Sequence, residues 1–381
     1  MLSTIRTCCE VCGSTALETL ETFARFPVFM GCTEQAKSDD LMSDMDWDIC
    51  LNCGLIQLRT LISLDLLYRE AHGSGAIGTI WKSHHTAFAR FIHQFYPKSV
   101  LEIGGSHGVL ASQYHLIADV PWHIVEPNPT PVPNCRATFT KGFFTADLRF
   151  NRGFDMVVHS HVFEHMYHPH AFLDDLSKHL DPGAMLCFSL PNMQAQLDRK
   201  YSNCLGFEHT IYLTEPYILY LLAIHGFEVV QQDYFLEDHS IFYAARKVKS
   251  TTEVQLPTGL YAKNLLTFEV FAAYNRALVH DLNMRITSRK LAGSEIYLFG
   301  GHAFSQMLLA TGLEEAHLCG VLDNDPGKRG KRLYGSSLLV DSPKMLQGKS
   351  CPVVILKAGP YTEEIRNDIL TNINAGTQFL E

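Results

Sequence analysis

The chain has 381 residues, 46 % of them hydrophobic, enough for two or three domains with substantial cores. Its formal net charge is −9 and no basic run tracks a phosphate backbone, which argues against a nucleic-acid partner. No apolar run is long and uncharged enough to span a membrane, Met1–Cys8 lacks the apolar core of a signal peptide, and the 11 scattered cysteines suit a reducing cytoplasm.

The first signal is a pair of Cys-x-x-Cys-Gly turns, at Cys9–Gly13 and Cys50–Gly54. Each turn aims two thiolates at one point, and two such turns complete a tetrahedron. Cys9, Cys12, Cys50 and Cys53 are therefore the expected ligands of a zinc ion. Four thiolates leave no position for water, so the zinc is structural. A disulfide pair or unligated thiols are the alternatives. Cys8 is adjacent, but Cys9 gives the two-residue spacer. The segment between the turns is long for a zinc ribbon and must fold as an excursion of its own. Within it Phe23–Met30 is apolar, marked by Pro27, and is expected to pack the metal unit, residues 1–62, onto the next domain. Leu55–Leu58 reads as a strand.

Residues 63–98 read as a helical connector, broken at His72–Gly78. Three glycines there suit a ligand-hugging loop or a plain interhelical connection. Trp81, Phe88, Phe91 and Ile92 then lie on one face of an amphipathic helix.

From 99 to 247 strands alternate with helices, which predicts a doubly wound sheet. Strands are expected near 100–103, 122–125, 155–158, 184–190, 227–231 and 240–245. Val100–Ile103 runs into a turn with Gly104, Gly105, Ser106 and Gly108, and a helix follows. Glycines let backbone turn tightly and approach a ligand. About twenty residues on, Trp122–Val125 ends in Glu126, placed to accept hydrogen bonds from a ribose. Glu102, inside the first motif, and the unit Phe154–His165 favour S-adenosylmethionine over a nicotinamide. A strand entering a Glu-His loop, with the turn Leu180–Ala184 before the next strand, resembles class I methyltransferases. Asp147 suits an adenine amino group, or equally a helix cap or solvent. His159 and His161 end the fourth strand and are expected at the cofactor. Five histidines between 159 and 170 make a metal conceivable, but their spacing is that of a strand end and loop. His165, after Glu164, is the first choice among them for chemistry.

Ser189–Asn192 ends a strand at the carboxyl edge, where open α/β sheets bind ligands. Thr214 is expected to cap a helix that Pro216 begins. Just before it stands Glu208-His209, a plausible general base oriented by its carboxylate, or else a structural pair. Residues 248–381 read as a linker with a helix over Leu265–Arg289, then a second α/β unit with strands at 296–299, 318–322 and 353–356. Its Gly300-Gly301 turn suits a phosphate at a helix N-terminus, though the full glycine triplet is missing. A docking or dimer role is the alternative.

In this order these pieces resemble the zinc-binding sugar C-methyltransferases, which act on thymidine-diphosphate 4-keto-deoxysugars, over nearly the whole chain. The matching residues are the four cysteines, Leu101–Gly104, Asp323–Lys331 and Glu208-His209. The resemblance implies a class I methyltransferase sheet between a zinc-binding domain and a C-terminal Rossmann-like domain. It also implies a base that takes the proton beside a ketone, with the enolate attacking the methyl sulfonium. His165 matches a family histidine. The family's catalytic loop reads Tyr-His-Glu-His, whereas Gly206 and Phe207 stand at its first two positions here, and His72 replaces a usual tyrosine. These departures leave room for O-methylation or another activated sugar. The expectation is thus a cytoplasmic, S-adenosylmethionine-dependent methyltransferase of a nucleotide-activated sugar in deoxysugar or surface-glycan synthesis, as monomer or homodimer. His209, Glu208 and His165 would be catalytic. The alternatives are an O- or N-methyltransferase of another metabolite, or a non-catalytic cofactor-binding scaffold.

Overall fold

A computed structural model describes residues 3–68, 78–250 and 253–381. The expected glycine loop at His72–Ile77 lies outside the described residues. At the centre is a seven-stranded sheet. Its strands are β1 (Val100–Ile103), β2 (Trp122–Glu126), β3 (Thr138–Lys141), β4 (Met156–Ser160), β5 (Met185–Pro191), β6 (Phe227–Phe235) and β7 (Ser240–Lys247). Their order is β3-β2-β1-β4-β5-β7-β6, and β7 runs antiparallel to both neighbours. The inner strands β1 and β5 are buried at every residue, as helices on both faces of a parallel sheet require. Strand β3 is absent from the sequence-based expectation because Thr-Phe-Thr-Lys is a short, half-polar edge with no buried residue.

The N-terminal unit is largely antiparallel. Leu17–Pro27 pairs with Met42–Cys50, which pairs with Ile56–Leu58. The apolar segment expected to pack between domains begins as part of this ladder, with Phe26 and Val28 buried beside Phe207 and Phe268. Between the two long strands, Cys32–Thr33 pairs with Arg332–Leu333 of the C-terminal unit.

Helix Thr79–His93 buries His84, Phe88, Phe91 and Ile92 against the central sheet. A longer helix, Leu260–Leu291, starts earlier than the sequence suggested. Its buried stripe of Leu260, Asn264, Phe268, Phe271, Asn275, Leu278, Leu282 and Ile286 keeps helical spacing throughout. The C-terminal sheet consists of β8 (Ile296–Phe299), β9 (Gly320–Leu322), β10 (Val340–Asp341), β11 (Val353–Ile355) and β12 (Gln378–Leu380). It is all parallel, ordered β10-β9-β8-β11-β12. Among the described residues no helix is long and apolar enough to cross a membrane.

Candidate active site

The two cysteine turns meet. The four sulfurs of Cys9, Cys12, Cys50 and Cys53 lie within 4.8 Å of one another. Cys9 Sγ is 3.5 Å from Cys53 Sγ, and Cys12 Sγ is 3.6 Å from Cys50 Sγ. A disulfide would bring a pair to about 2.05 Å. Tetrahedral thiolates around zinc, with bonds of about 2.3 Å, stand nearly as far apart as these do. Each turn closes with a glycine in the left-handed region, Gly13 at φ 72° and Gly54 at φ 76°, which donates to the first cysteine's carbonyl. The donor set therefore fits a closed structural zinc.

The glycine turn after β1 crosses the carboxyl edge of the central sheet. Gly104 to His107 remain half-buried while β1 beneath them is buried. Ser106 N–H donates to Glu126 Oε2 at 2.9 Å, and Asn128 N–H donates to Glu126 Oε1 at 3.0 Å. Glu126 thus ties the turn to the end of β2. Gly104 and Gly108 adopt φ 71° and 69°. A Cβ at Gly105 would come within 2.8 Å of the Glu102 carboxyl carbon, so glycine there is dictated by the acid below. Glu102 is 2 % exposed, and its Oε2 accepts the Trp122 indole N–H at 2.7 Å. Burial pushes its carboxyl up to about 8. The open turn, with Glu126 at its rim, fits a cradle for the ribose side of S-adenosylmethionine; Glu102 sits beneath it.

Beside this turn, two loops bring histidines together. His165 lies in the short helical turn Phe163–His165 after β4, and His209 in the loop before Ile211. Their ring centroids are 4.9 Å apart. Glu164, His165 and His209 present one ligand or base atom each within 4.8 Å. Arg6 holds the two loops in place. It is buried and donates to the carbonyls of Thr210 at 2.7 Å and Tyr167 at 2.7 Å. The Thr210–Tyr212 segment is also bonded to Ile56 and Leu58 of the N-terminal unit. The N-terminal unit therefore positions the loop that carries His209.

His209 Nδ1 lies 3.2 Å from the Cys204 carbonyl. A carbonyl can only accept, so Nδ1 carries the hydrogen and Nε2 keeps the lone pair. The Cys204 backbone thus fixes the orientation of the His209 ring. The Tyr68 hydroxyl lies 3.2 Å from His165 Nδ1. Glu164 is fully buried and neither oxygen completes a hydrogen bond, but His161 Nδ1 and His165 Nε2 stand at ion-pair distance from Oε1, 3.3 and 3.9 Å away. Burial pushes its carboxyl up, and His165 and His209 pull it back. Sequence reasoning missed Glu164 as a site residue and missed Arg6 altogether.

Other expected site residues lie elsewhere. His159 is 1 % exposed and stacks on Phe188 at 4.9 Å, with Phe163 and Phe172 around it. Burial lowers its imidazole to about 3, so it is a neutral core ring placed with the aromatics rather than with the other candidate residues. Strand alternation sends it to the core, while the next turn sends His161 to the sheet edge. Asp147 is exposed in the turn after β3. Thr214 sits at the start of helix Glu215–Ile224, but its hydroxyl makes no capping bond. It is 7 % exposed, with its backbone carbonyl taking the first helical contacts. Gly206 and Phe207 are built into the packing. A Cβ at Gly206 would meet Met30 Cε at 1.8 Å, and Phe207 packs on Phe26 at 6.2 Å.

Residues 80–232 match the family model of a methyltransferase domain. No curated protein matches the chain. Among solved structures, the N-methyltransferase NodS from Bradyrhizobium japonicum WM9 is 15 % identical at a TM-score of 0.33, over 45 % of this chain and 97 % of its own. An S-adenosylmethionine dependent methyltransferase from Mesorhizobium loti is 12 % identical at a TM-score of 0.35, over 41 % and 96 %. Magnesium protoporphyrin IX methyltransferase from Synechocystis PCC 6803 is 14 % identical at a TM-score of 0.37, over 47 % and 92 %. Strand order, the glycine turn with Glu126 at its rim, and the family match together make the central unit a class I, S-adenosylmethionine-dependent methyltransferase domain.

Proposed function

We propose that the chain methylates a nucleotide-activated or otherwise phosphorylated sugar, with His209 as the base. The observation that carries this reading is the convergence of Glu164, His165 and His209 at the edge of the sheet. S-adenosylmethionine, when bound at the turn Gly104–Gly108, supplies an electrophilic methyl group and a neutral thioether leaving group. His209 Nε2 takes the proton that the acceptor atom loses. His165 holds that atom by a hydrogen bond, and buried Glu164 favours the imidazolium that forms. One proton leaves the acceptor for each methyl gained, so the charge lost from the sulfonium reappears on His209. The site has mainly to orient its reactants. The four cysteines would hold a structural zinc that keeps the N-terminal unit, and through Arg6 the catalytic loop, in place. Units at 1–62, 63–98, 99–247 and 248–381 serve as the working division of the chain.

A hydroxyl acceptor is the second reading. Phe207 and Gly206 supply packing at positions where the sugar C-methyltransferases carry an imidazole and a phenol, so the site holds fewer groups to stabilise an enolate. The test is mass spectrometry of the full chain incubated with cofactor and a panel of nucleotide sugars, alongside His209→Ala. A gain of one methyl on a sugar, at least 100-fold slower in the variant, is expected. Products from simple hydroxyl or amine compounds alone would replace the sugar with the second reading. Tight cofactor binding with no product would leave a scaffold.

A further inference from the structure

His161 stands one residue beyond β4 with φ 54°, a left-handed conformation in a bulky residue. Such a conformation is unfavourable for a residue with a Cβ and persists where its surroundings hold it. Here its N–H donates to the Ser189 carbonyl at 2.8 Å. The consequence is a row of side chains across the tips of β4 and β7. His161 Nδ1 is 3.3 Å from Glu164 Oε1, and His161 Nε2 is 2.9 Å from Ser240 Oγ. Ser240 Oγ is in turn 2.6 Å from His239 Nδ1. Trp81 closes one side, with ring centroids 4.8 Å from His161 and 5.0 Å from His239.

Hydrogens can be assigned along this row with both rings neutral. His239 Nδ1–H donates to Ser240, the Ser240 hydroxyl donates to His161 Nε2, and His161 Nδ1–H is left facing Glu164. Burial favours that state, lowering His161 well below the ordinary histidine range and His239 to about 4. The same carboxyl approaches His165 Nε2 at 3.9 Å. The other titratable rings near His161 are His84 and His85 of helix Thr79–His93, and His209 opposite.

We propose that His161 is a positioning residue of the active site: anchored by Ser240 and His239, it presents an N–H to Glu164 and so governs the carboxyl group that His165 and His209 share. It touches neither acceptor nor cofactor in this role and acts through Glu164. The inference rests on the proposed catalytic use of His209, but its test needs no acceptor.

The experiment is an NMR titration of the His165 and His209 imidazoles in the zinc-loaded, full-length chain, in wild type, His161→Phe, His161→Asn and Ser240→Ala. Removing the N–H in His161→Phe makes the Glu164 carboxylate harder to form, so both imidazoles should titrate lower, by roughly half a unit or more. His161→Asn keeps an amide N–H and should restore most of the difference. Ser240→Ala frees the ring and should give an intermediate shift. Unchanged midpoints in folded Ser240→Ala, together with unchanged midpoints in His161→Phe if it folds, would overturn the proposal. Shifted midpoints in an enzyme that methylates no sugar would instead sink the functional reading and leave the positioning role standing.

Discussion

A carboxyl group sealed beneath a backbone turn is costly to ionise, and Glu102 is such a group. Its folded value of about 8 lies above an ordinary 4.5. Raised in the folded state, it favours folding most below pH 4.5, and that contribution is lost as pH rises toward 8. The loss runs at about 1.4 kcal/mol per pH unit across the window. Glu102→Gln cannot ionise and keeps an oxygen for the Trp122 indole. It should match wild type in urea unfolding near pH 4.5 and exceed it by roughly 4 kcal/mol at pH 8. A difference that does not change with pH would refute this assignment. Glu102 was legible in the sequence as a motif acid, and its contact with Trp122 was not, because that contact depends on strand pairing. Glu164 is a similar case. The Glu-His pair was visible, but its meeting with His209 needs two loops far apart in the chain to be brought together by Arg6.

At the scale of elements, the two cysteine turns offer a controlled comparison. Gly13 and Gly54 occupy the same position in their turns, with φ 72° and 76°. A Cβ at Gly13 would meet nothing within 4 Å, whereas one at Gly54 would lie 2.4 Å from Tyr261 N and 2.6 Å from Leu260 C. Helix Leu260–Leu291 thus begins directly on the second turn, and Asn264 fastens it by donating to the Gly54 carbonyl at 2.9 Å. Gly13→Ala should cost about 1 kcal/mol, the backbone term alone. Gly54→Ala adds a clash with backbone that cannot swing away and should cost roughly 2–4 kcal/mol. Denaturant unfolding of the two variants, with zinc supplied to both, checks this, and equal losses would show that the helix start is not seated as described. The turns were readable from sequence because their spacing is local. So were the buried strands, whose apolar runs are continuous. Edge strand β3 and the Leu17–Pro27 ladder were not, since their pattern is mixed and their partners decide them.

Across the whole molecule, the N-terminal unit fastens the other two. It pins the His209 loop through Arg6 and the Ile56–Leu58 strand, and it reaches the C-terminal unit through the excursion between its long strands. Gln306 of the C-terminal unit receives the Gly31 N–H at 3.1 Å and donates to the Phe29 and Tyr334 carbonyls at 2.9 and 3.0 Å. Beside it, Arg332 grips Asp40 through two bonds of 2.7 Å, and Gly335 N–H donates to the same carboxylate at 2.8 Å. The Arg332 and Asp40 side chains are 10 % and 2 % exposed, so solvent screens the pair little. No local pattern in the sequence announces a pairing between opposite ends of the chain. Asp40→Ala would leave a buried guanidinium without its anion, which costs about 3–5 kcal/mol in comparable pairs. If the units fold as one, calorimetry of Asp40→Ala should show a single transition moved to lower temperature. Tryptophan signals from Trp47 in the N-terminal unit and Trp122 in the central sheet should then move together. A new early transition confined to the C-terminal strands, with the rest unmoved, would mean that the Arg332 clasp joins units that are stable apart.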